Sequence, residues 1–210
     1  MIEEKTIIDK REQILEAAER LFAERGFDAV SVRELAKEAN VNLAMISYYF
    51  GSKDKMYETL IENRISVTRT AIKNVNEKNI TPIEKLNAVI DIYVEKMMNN
   101  RKFQRILSRE MFQNTRPELN VVINESINKN KLEVSTIINE GIRKKQFRKV
   151  DVDMTIMTMI STVSHLVSAC KFSQNVFHKA SEEELYTMQF KTRIKNHLKE
   201  LLANHLLLEK

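Results

Sequence analysis

Ile14, Ala18, Leu21 and Phe22 recur at the three- and four-residue spacing of one helix face. They lie between Asp9-x-x-Glu12, which has the form of a capping box, and Gly26, a left-handed stop. Ser31-x-x-Glu34 is a second box and opens a short helix with Val32, Leu35, Ala36 and Ala39 inward. That helix ends near Asn40, a residue type that tolerates positive φ. Asn42 caps a third short helix, Leu43 to Tyr49, with Ile46 and Phe50 assigned to the core. Gly51-Ser52 then breaks the chain before a long helix from about Lys53 to Lys78. Thr81-Pro82-x-Glu84 combines cap, first-turn proline and third-position glutamate, and starts a helix to about Asn99. The remaining punctuation predicts helices from Arg101 to about Gln113, from Pro117 toward Gln146 with Gly141 inside, from Asp151 to about Phe172, and from Ser181-x-x-Glu184 to about Leu207. The expectation is an all-α chain of about nine helices.

Composition agrees by exclusion. The 210 residues include 3 glycines and 2 prolines, where average usage gives roughly 15 and 10. Hairpins need residues at positive φ, and nucleotide-binding loops need clustered glycine. Gly26, Gly51 and Gly141 stand apart, so no G-x-G-x-x-G, Walker loop or G-x-S-x-G elbow can be drawn. One cysteine, Cys170, forms no internal disulfide and fits a reducing compartment. The N-terminal residues are charged and lack the apolar segment of a signal peptide. The longest uncharged run, Met154 to Cys170, is 17 residues, short of the roughly 20 that span a bilayer. A cytoplasmic protein without a membrane partner is the expectation. The four histidines and single cysteine show no tight ligand spacing, so neither metal nor cofactor is expected.

The net charge of +5 suggests nucleic acid until it is located. Residues 1–55 carry 9 Lys/Arg against 11 Asp/Glu, whereas residues 56–210 carry 25 against 18. The positive surplus lies in the C-terminal part.

Two short helices across Asn40-Val41-Asn42 have the helix-turn-helix pattern, whose second helix is sized for a DNA major groove. The residues sharpen this. Residues 11–27, REQILEAAERLFAERGF, and 31–61, SVRELAKEANVNLAMISYYFGSKDKMYETLI, resemble the first helix, helix-turn-helix and following helix of the TetR family of bacterial transcriptional regulators. The remaining residues are similar to that family only in helical architecture. The resemblance implies residues 1–52 as a three-helix DNA-binding head, with a linker helix from about 53, and 53–210 as a ligand-binding and dimerisation domain. It also implies a homodimer that binds palindromic double-stranded operator DNA and releases it when a small apolar or amphipathic effector enters.

Ser31 and Asn42 cap helix N-termini, where free amides favour phosphate. Leu43, Ala44, Met45 and Ser47 fill positions that point toward base edges. Tyr48 and Tyr49 offer rigid hydroxyls. Tyr49 is read toward phosphate, while one of the pair packs against the first helix, and which of them meets phosphate stays open. Arg33 and Lys53 match family positions that meet the backbone or nearby bases, whereas Lys37 and Lys55 are read as solvated. Two departures stand out: Asn40 replaces a turn glycine, and Leu43 stands where relatives often have lysine. Positions 41–50 hold no charge, so no bidentate arginine–guanine contact is available from this helix. Thymine methyl contacts and the Ser47 or tyrosine hydroxyls are expected to read sequence instead.

In the C-terminal part, Ile156, Ile160, Val163, Val167, Leu198, Leu201 and Leu202 are expected at a four-helix dimer interface, with completion of the protomer's own core as the alternative. Methionines concentrate beyond residue 96. Met97, Phe103, Met111, Phe112, Met157 and His165 are read as candidates for an adaptable effector pocket, although a methionine stripe also suits plain core. An all-α enzyme or ligand carrier, or an architectural DNA-binding protein without ligand control, is the competing reading.

Overall fold

The computed structural model describes residues 2–113 and 115–208, with side chains from Lys10 onward. Ten α-helices occur among them: α1 (Ile2–Arg25), α2 (Val32–Glu38), α3 (Leu43–Phe50), α4 (Lys53–Asn76), α5 (Pro82–Asn99), α6 (Arg101–Gln113), α7 (Pro117–Arg143), α8 (Val152–Ser168), α9 (Cys170–Val176) and α10 (Met188–Leu206). A 310 turn, Glu183–Tyr186, precedes α10. No strand occurs among the described residues, only one isolated bridge between Phe147 and Leu207.

The expected boxes at Ser31/Glu34 and Thr81/Glu84 both close reciprocally. Asn40 adopts φ 50°, as its place in the turn required. Three expectations are corrected. Helix α1 already runs from Ile2, before the box proposed at Asp9, whose side chain lies outside the described residues. The helix expected from Asp151 to Phe172 breaks at Ala169 (φ −108°, ψ 52°) into α8 and α9. There Ser173 Oγ donates to the Leu166 carbonyl at 3.3 Å and Cys170 Sγ to the Val167 carbonyl at 3.0 Å, satisfying carbonyls that the break frees. Ser181-x-x-Glu184 opens only the 310 turn, and α10 is capped by Thr187, whose Oγ accepts from Phe190 N–H at 3.3 Å.

The chain forms two units, one of residues 1–64 with 105–124, the other of 65–104 with 125–210. The units divide within α4, and the first of them includes the end of α6 and the start of α7. The first unit is centred on Ile14, Leu15, Phe22, Leu35, Ile46, Met56, Leu60 and Ile61, all at most 1% exposed. The second packs Leu86, Ile90 and Val94 of α5 with Val134 and Ile137 of α7, Met159 of α8 and Leu206 of α10. Ion pairs Lys199–Asp91 (2.8 Å) and Lys195–Glu95 (2.6 Å) line the α5–α10 contact. No single described helix is long and apolar enough to cross a membrane. Together α8 and α9 reach that length, but the chain bends by 99° between them.

Five of the seven residues expected at a dimer interface belong to this second core: Ile156, Val163, Val167, Leu198 and Leu202 are at most 6% exposed. Ile160 is half-buried against the same core and Leu201 is exposed. An apolar stripe at helical spacing marks the best-buried face, which here is the protomer's own interior.

Gly141 of α7 has a specific steric cause. A Cβ built there would stand 2.2 Å from the Phe147 ring, which is 2% exposed. Gly141→Ala is expected to cost about 1–3 kcal/mol through overpacking, seen as a thermal midpoint lower by roughly 2–4 °C per kcal/mol. An unchanged melting curve would show that Phe147 moves aside freely.

Candidate nucleic-acid interface

Helix α2 starts on Ser31, whose backbone N–H donates to Glu34 Oε2 at 2.8 Å while Glu34 N–H donates to Ser31 Oγ at 3.2 Å. Arg25 adds a guanidinium bond to the same carboxylate at 2.8 Å. These donors, Ser31 N–H first and Arg25 next, hold the Glu34 carboxyl down at about 2. A phosphate approaching this helix end must therefore meet an ionised carboxylate, which disfavours the phosphate role expected of Ser31. The start of α3 differs: Asn42 Oδ1 accepts from Ala44 N–H at 3.0 Å, and no acidic residue occupies the first turn. Of the two N-termini, this one better favours an anion.

The other expected DNA-facing residues divide cleanly on α3. Ile46 and Phe50 are buried, as expected of the core. Leu43, Ala44, Ser47 and Tyr48 are exposed, Tyr48 to 81%. Met45 and Tyr49 are half-buried at the edges of this face. The Tyr48 and Tyr49 rings meet edge-on at 5.1 Å, and Tyr49 stands 6.3 Å from the Phe50 ring. Tyr48 is thus the more exposed of the two tyrosines. Arg33 and Lys37 are exposed on α2.

Lys53 is placed otherwise than a simple phosphate contact would be. Its ammonium donates to the Phe27 carbonyl at 2.6 Å and lies 4.0 Å from the centre of the Phe27 ring. Burial lowers its pKa from the ordinary lysine value. The other side of this arrangement comes from far along the chain. Arg116, just before α7, places its guanidinium 4.4 Å from the same Phe27 ring. It also bonds Asp28 at 2.6 Å and both carboxylate oxygens of Glu110 at 3.1 and 3.2 Å. Glu110, 2% exposed, accepts from the Tyr57 hydroxyl at 2.9 Å. Arg109 donates to the Phe22 carbonyl at 3.1 Å. The residues after α1 are thereby clasped by segment 105–124. No local signal could have revealed contacts that join residues 53 to 88 positions apart.

The residues proposed for an effector pocket are not brought to one lining. Phe103 is 4% exposed and Met97 half-buried against the second core. Met111 (53%) and Phe112 (83%) are exposed at the end of α6, and Met157 is exposed on α8. His165 is also exposed, with its ring edge-on to Phe172 at 5.5 Å. Helical period alone did not separate inward from outward methionines.

Residues 14–60 match the family described as bacterial regulatory proteins, tetR family, and residues 79–168 match the tetracyclin repressor-like C-terminal domain. The chain belongs to the TetR family of transcriptional regulators and carries that family's DNA-binding helix-turn-helix. Its relatives are regulators rather than enzymes. Over 108 residues it is 36% identical to the probable HTH-type transcriptional regulator YttP of Bacillus subtilis (strain 168), covering 50% of this chain and 51% of that one. It is 33% identical over 92 residues to the nucleoid occlusion factor SlmA of Haemophilus influenzae (strain PittGG), covering 43% and 41%. The chain thus spans about half the length of the curated relatives it matches. Among solved structures it resembles the transcriptional regulator FadR from Bacillus subtilis in complex with stearoyl-CoA. The TM-score is 0.72 at 22% identity, over 92% of this chain and 98% of that one, a likeness of fold.

Two measurements test the local chemistry. Arg116→Met leaves the Glu110 carboxylate buried without its cation and is expected to cost about 3–5 kcal/mol in denaturant unfolding. Tyr57→Phe removes one hydrogen bond and should cost about 1 kcal/mol; equal losses would contradict the asymmetry. Because the Glu34 pKa is depressed on folding, its stabilisation is present above the unfolded value of 4.5 and fades as pH falls from there toward about 2. NMR titration should find that carboxyl still ionised at pH 3, and Ser31→Ala should move its midpoint upward.

Proposed function

We propose that this chain is a ligand-responsive repressor that binds palindromic operator DNA as a homodimer in the cytoplasm. The exposed, uncharged face of α3 is the observation that carries the DNA-reading part. Leu43 and Ala44 are shaped for thymine methyls, while Ser47 and Tyr48 supply hydroxyls for base edges or phosphate. Arg33 and Lys37 on α2 and the Asn42 end of α3 supply the electrostatic contribution.

The dimer reading moves to another face. The outward side of α8 carries Met154, Met157, Ser161 and His165, all exposed, and continues to Phe172 of α9. It offers apolar bulk beside a small residue, which suits close packing against a second copy. Two-fold pairing would then set the recognition helices at half-sites about 34–36 Å apart.

Effector control follows from the chain's path. Helices α4, α6 and α7 each pass between the two units, and the last two meet in the Arg116 clasp. An effector with different affinity for two arrangements of these helices would shift the spacing of the heads. The relative in complex with stearoyl-CoA supports an amphipathic effector. The nucleoid occlusion factor among the relatives favours a second reading, an architectural DNA-binding protein without ligand control.

Selection of bound duplexes followed by fluorescence anisotropy tests the first claim. Binding should weaken with salt, with a modest slope set by the few exposed cations of each head. Leu43→Ala should relax sequence preference with little change in the salt slope, while Arg33→Ala should lower that slope by about 1. Non-selective binding by the wild type would favour the architectural reading. Met157→Arg should shift the sedimenting species from dimer to monomer; an unaltered dimer would place the interface elsewhere.

A further inference from the structure

The positive surplus of residues 56–210 has no part in the head, and most of it lies in one place. Residues 143–149, RKKQFRK, hold five Lys/Arg and no Asp/Glu. They close α7 and begin the connection to α8 in the second unit. The turn that carries them is pinned on two sides. Lys145 takes φ 55°, and the Gln146 and Phe147 N–H groups both donate to the Gly141 carbonyl of α7, at 2.9 and 3.1 Å. Phe147 is buried, and Arg148 N–H donates to the Leu206 carbonyl of α10 at 2.8 Å. The five cations between and beside these anchors are all exposed. Two of them are committed: Lys144 pairs with Glu140 at 2.6 Å, and the Arg148 guanidinium bonds the His205 carbonyl and ring. Arg143, Lys145 and Lys149 have no side-chain hydrogen bond or ion pair among the described residues. The nearest acids along the chain are already engaged. Glu140 also holds Lys85 at 2.9 Å, Asp151 caps α8 by accepting from Met154 N–H at 3.0 Å, and Asp153 pairs with Lys131 at 2.9 Å.

We infer that this turn is a second DNA-binding surface, one that takes the phosphates of double-stranded DNA without reading sequence. Cations at a helix C-terminus also serve the helix dipole, and Arg148 does so at the end of α10. A terminus carries only about half an elementary charge, however, which leaves most of the five unanswered. Like charges so close together repel one another, and a polyanion relieves that cost. Lysine and arginine hold phosphate without regard to base. Within the run the only aromatic or aliphatic side chain is Phe147, which is buried, so the turn presents nothing for base stacking or for the dry centre of a protein interface. Exposed Leu207 and Leu208, joined to the turn by the Phe147–Leu207 bridge, would suit an anionic bilayer, and the test includes that outcome. DNA is favoured because the chain belongs to a DNA-binding family, so duplex is a polyanion it meets. The surface is independent of α3 and adds to the salt dependence that the head cations give.

Fluorescence anisotropy of the full-length protein on a duplex of scrambled sequence, over a series of salt concentrations, tests it. Arg143→Gln/Lys145→Gln/Lys149→Gln removes the three uncommitted charges and leaves α3 untouched. The log–log salt slope should become shallower by about 3, and affinity at low salt should fall at least about tenfold. Arg143→Lys/Lys145→Arg/Lys149→Arg, which keeps every charge, should bind as the wild type does. Should the triple glutamine variant fail to melt cooperatively, Lys149→Gln alone should lower the slope by about 1. Coincident curves for the wild type and the glutamine variant would overturn the surface. So would a glutamine variant that keeps its DNA affinity but loses binding to phosphatidylglycerol vesicles, or to polyglutamate. A selected operator duplex separates this inference from the repressor reading. Operator preference in the wild type, with scrambled-duplex binding unchanged in the variant, would overturn the surface and leave that reading standing. Weakened scrambled-duplex binding in the variant, with no operator preference in the wild type, would support the surface and contradict the repressor.

Discussion

The Phe27 ring lies between two cations, Lys53 at the start of α4 and Arg116 before α7, and its carbonyl takes the Lys53 ammonium. The link between the end of α1, the start of α4 and segment 105–124 converges there. The ring also stacks on Phe22 and Tyr57, with centroids at 5.4 and 4.7 Å, joining α1 to α4. Arg116 can serve this aromatic face because Glu110 and Asp28 neutralise it. Glu110 in turn is buried with its carboxylate oxygens accepting from Arg116 and from the Tyr57 hydroxyl. Burial and Glu110 accordingly push the Tyr57 phenol above its ordinary pKa. Removing one member exposes the cost of another, so the group behaves as one clamp. Segment 105–124 is thus a structural part of the head, although over a hundred positions separate it from the first residues of α1.

This clamp also explains why overall charge misleads. The cations of the head are largely committed internally: Arg20 to Glu38, Arg25 to Glu34, Arg64 to Glu12 and Glu19, Arg116 to Asp28 and Glu110. Arg33 and Lys37 remain exposed on α2. A net count cannot separate charges that brace the fold from charges that face solvent. On the proposed reading, a head with few exposed cations and an uncharged α3 draws its selectivity from shape, methyl contacts and hydroxyls more than from Coulomb attraction.

Local chemistry was legible in the sequence and long-range chemistry was not. The caps at Ser31/Glu34 and Thr81/Glu84, unlike the starts read at Asp9 and Ser181, stand as read, as do the turn at Asn40 and the core roles of Ile46 and Phe50. The break at Ala169 carries no glycine, proline or charge to announce it. It is held by Ser173 and Cys170 reaching back to freed carbonyls, a pattern with no sequence signature. Apolar periodicity located the stripes of α8 and α10 but could not say what they pack against, so Ile156, Val163 and Leu198 were assigned to a partner when they face their own core. Lys53 was found by motif, while its engagement with Phe27 depends on a contact 26 residues away.

The opposite face of α8 differs in kind from that of α10. A surface helix with one buried stripe ordinarily turns charge to solvent, as α10 does with exposed Arg193 and Glu200. Beyond Asp153, α8 has no Lys, Arg, Asp or Glu, although Met157, Thr158, Ser161, His165 and Ser168 are all exposed. The inward stripe accounts for only half of this uncharged composition. The outward residues share that lack of charge, and the Phe172 ring beyond the Ala169 bend is exposed as well. The run from Met154 to Ser168 is therefore uncharged on its buried and its exposed side alike, which is the pattern behind the proposed dimer face.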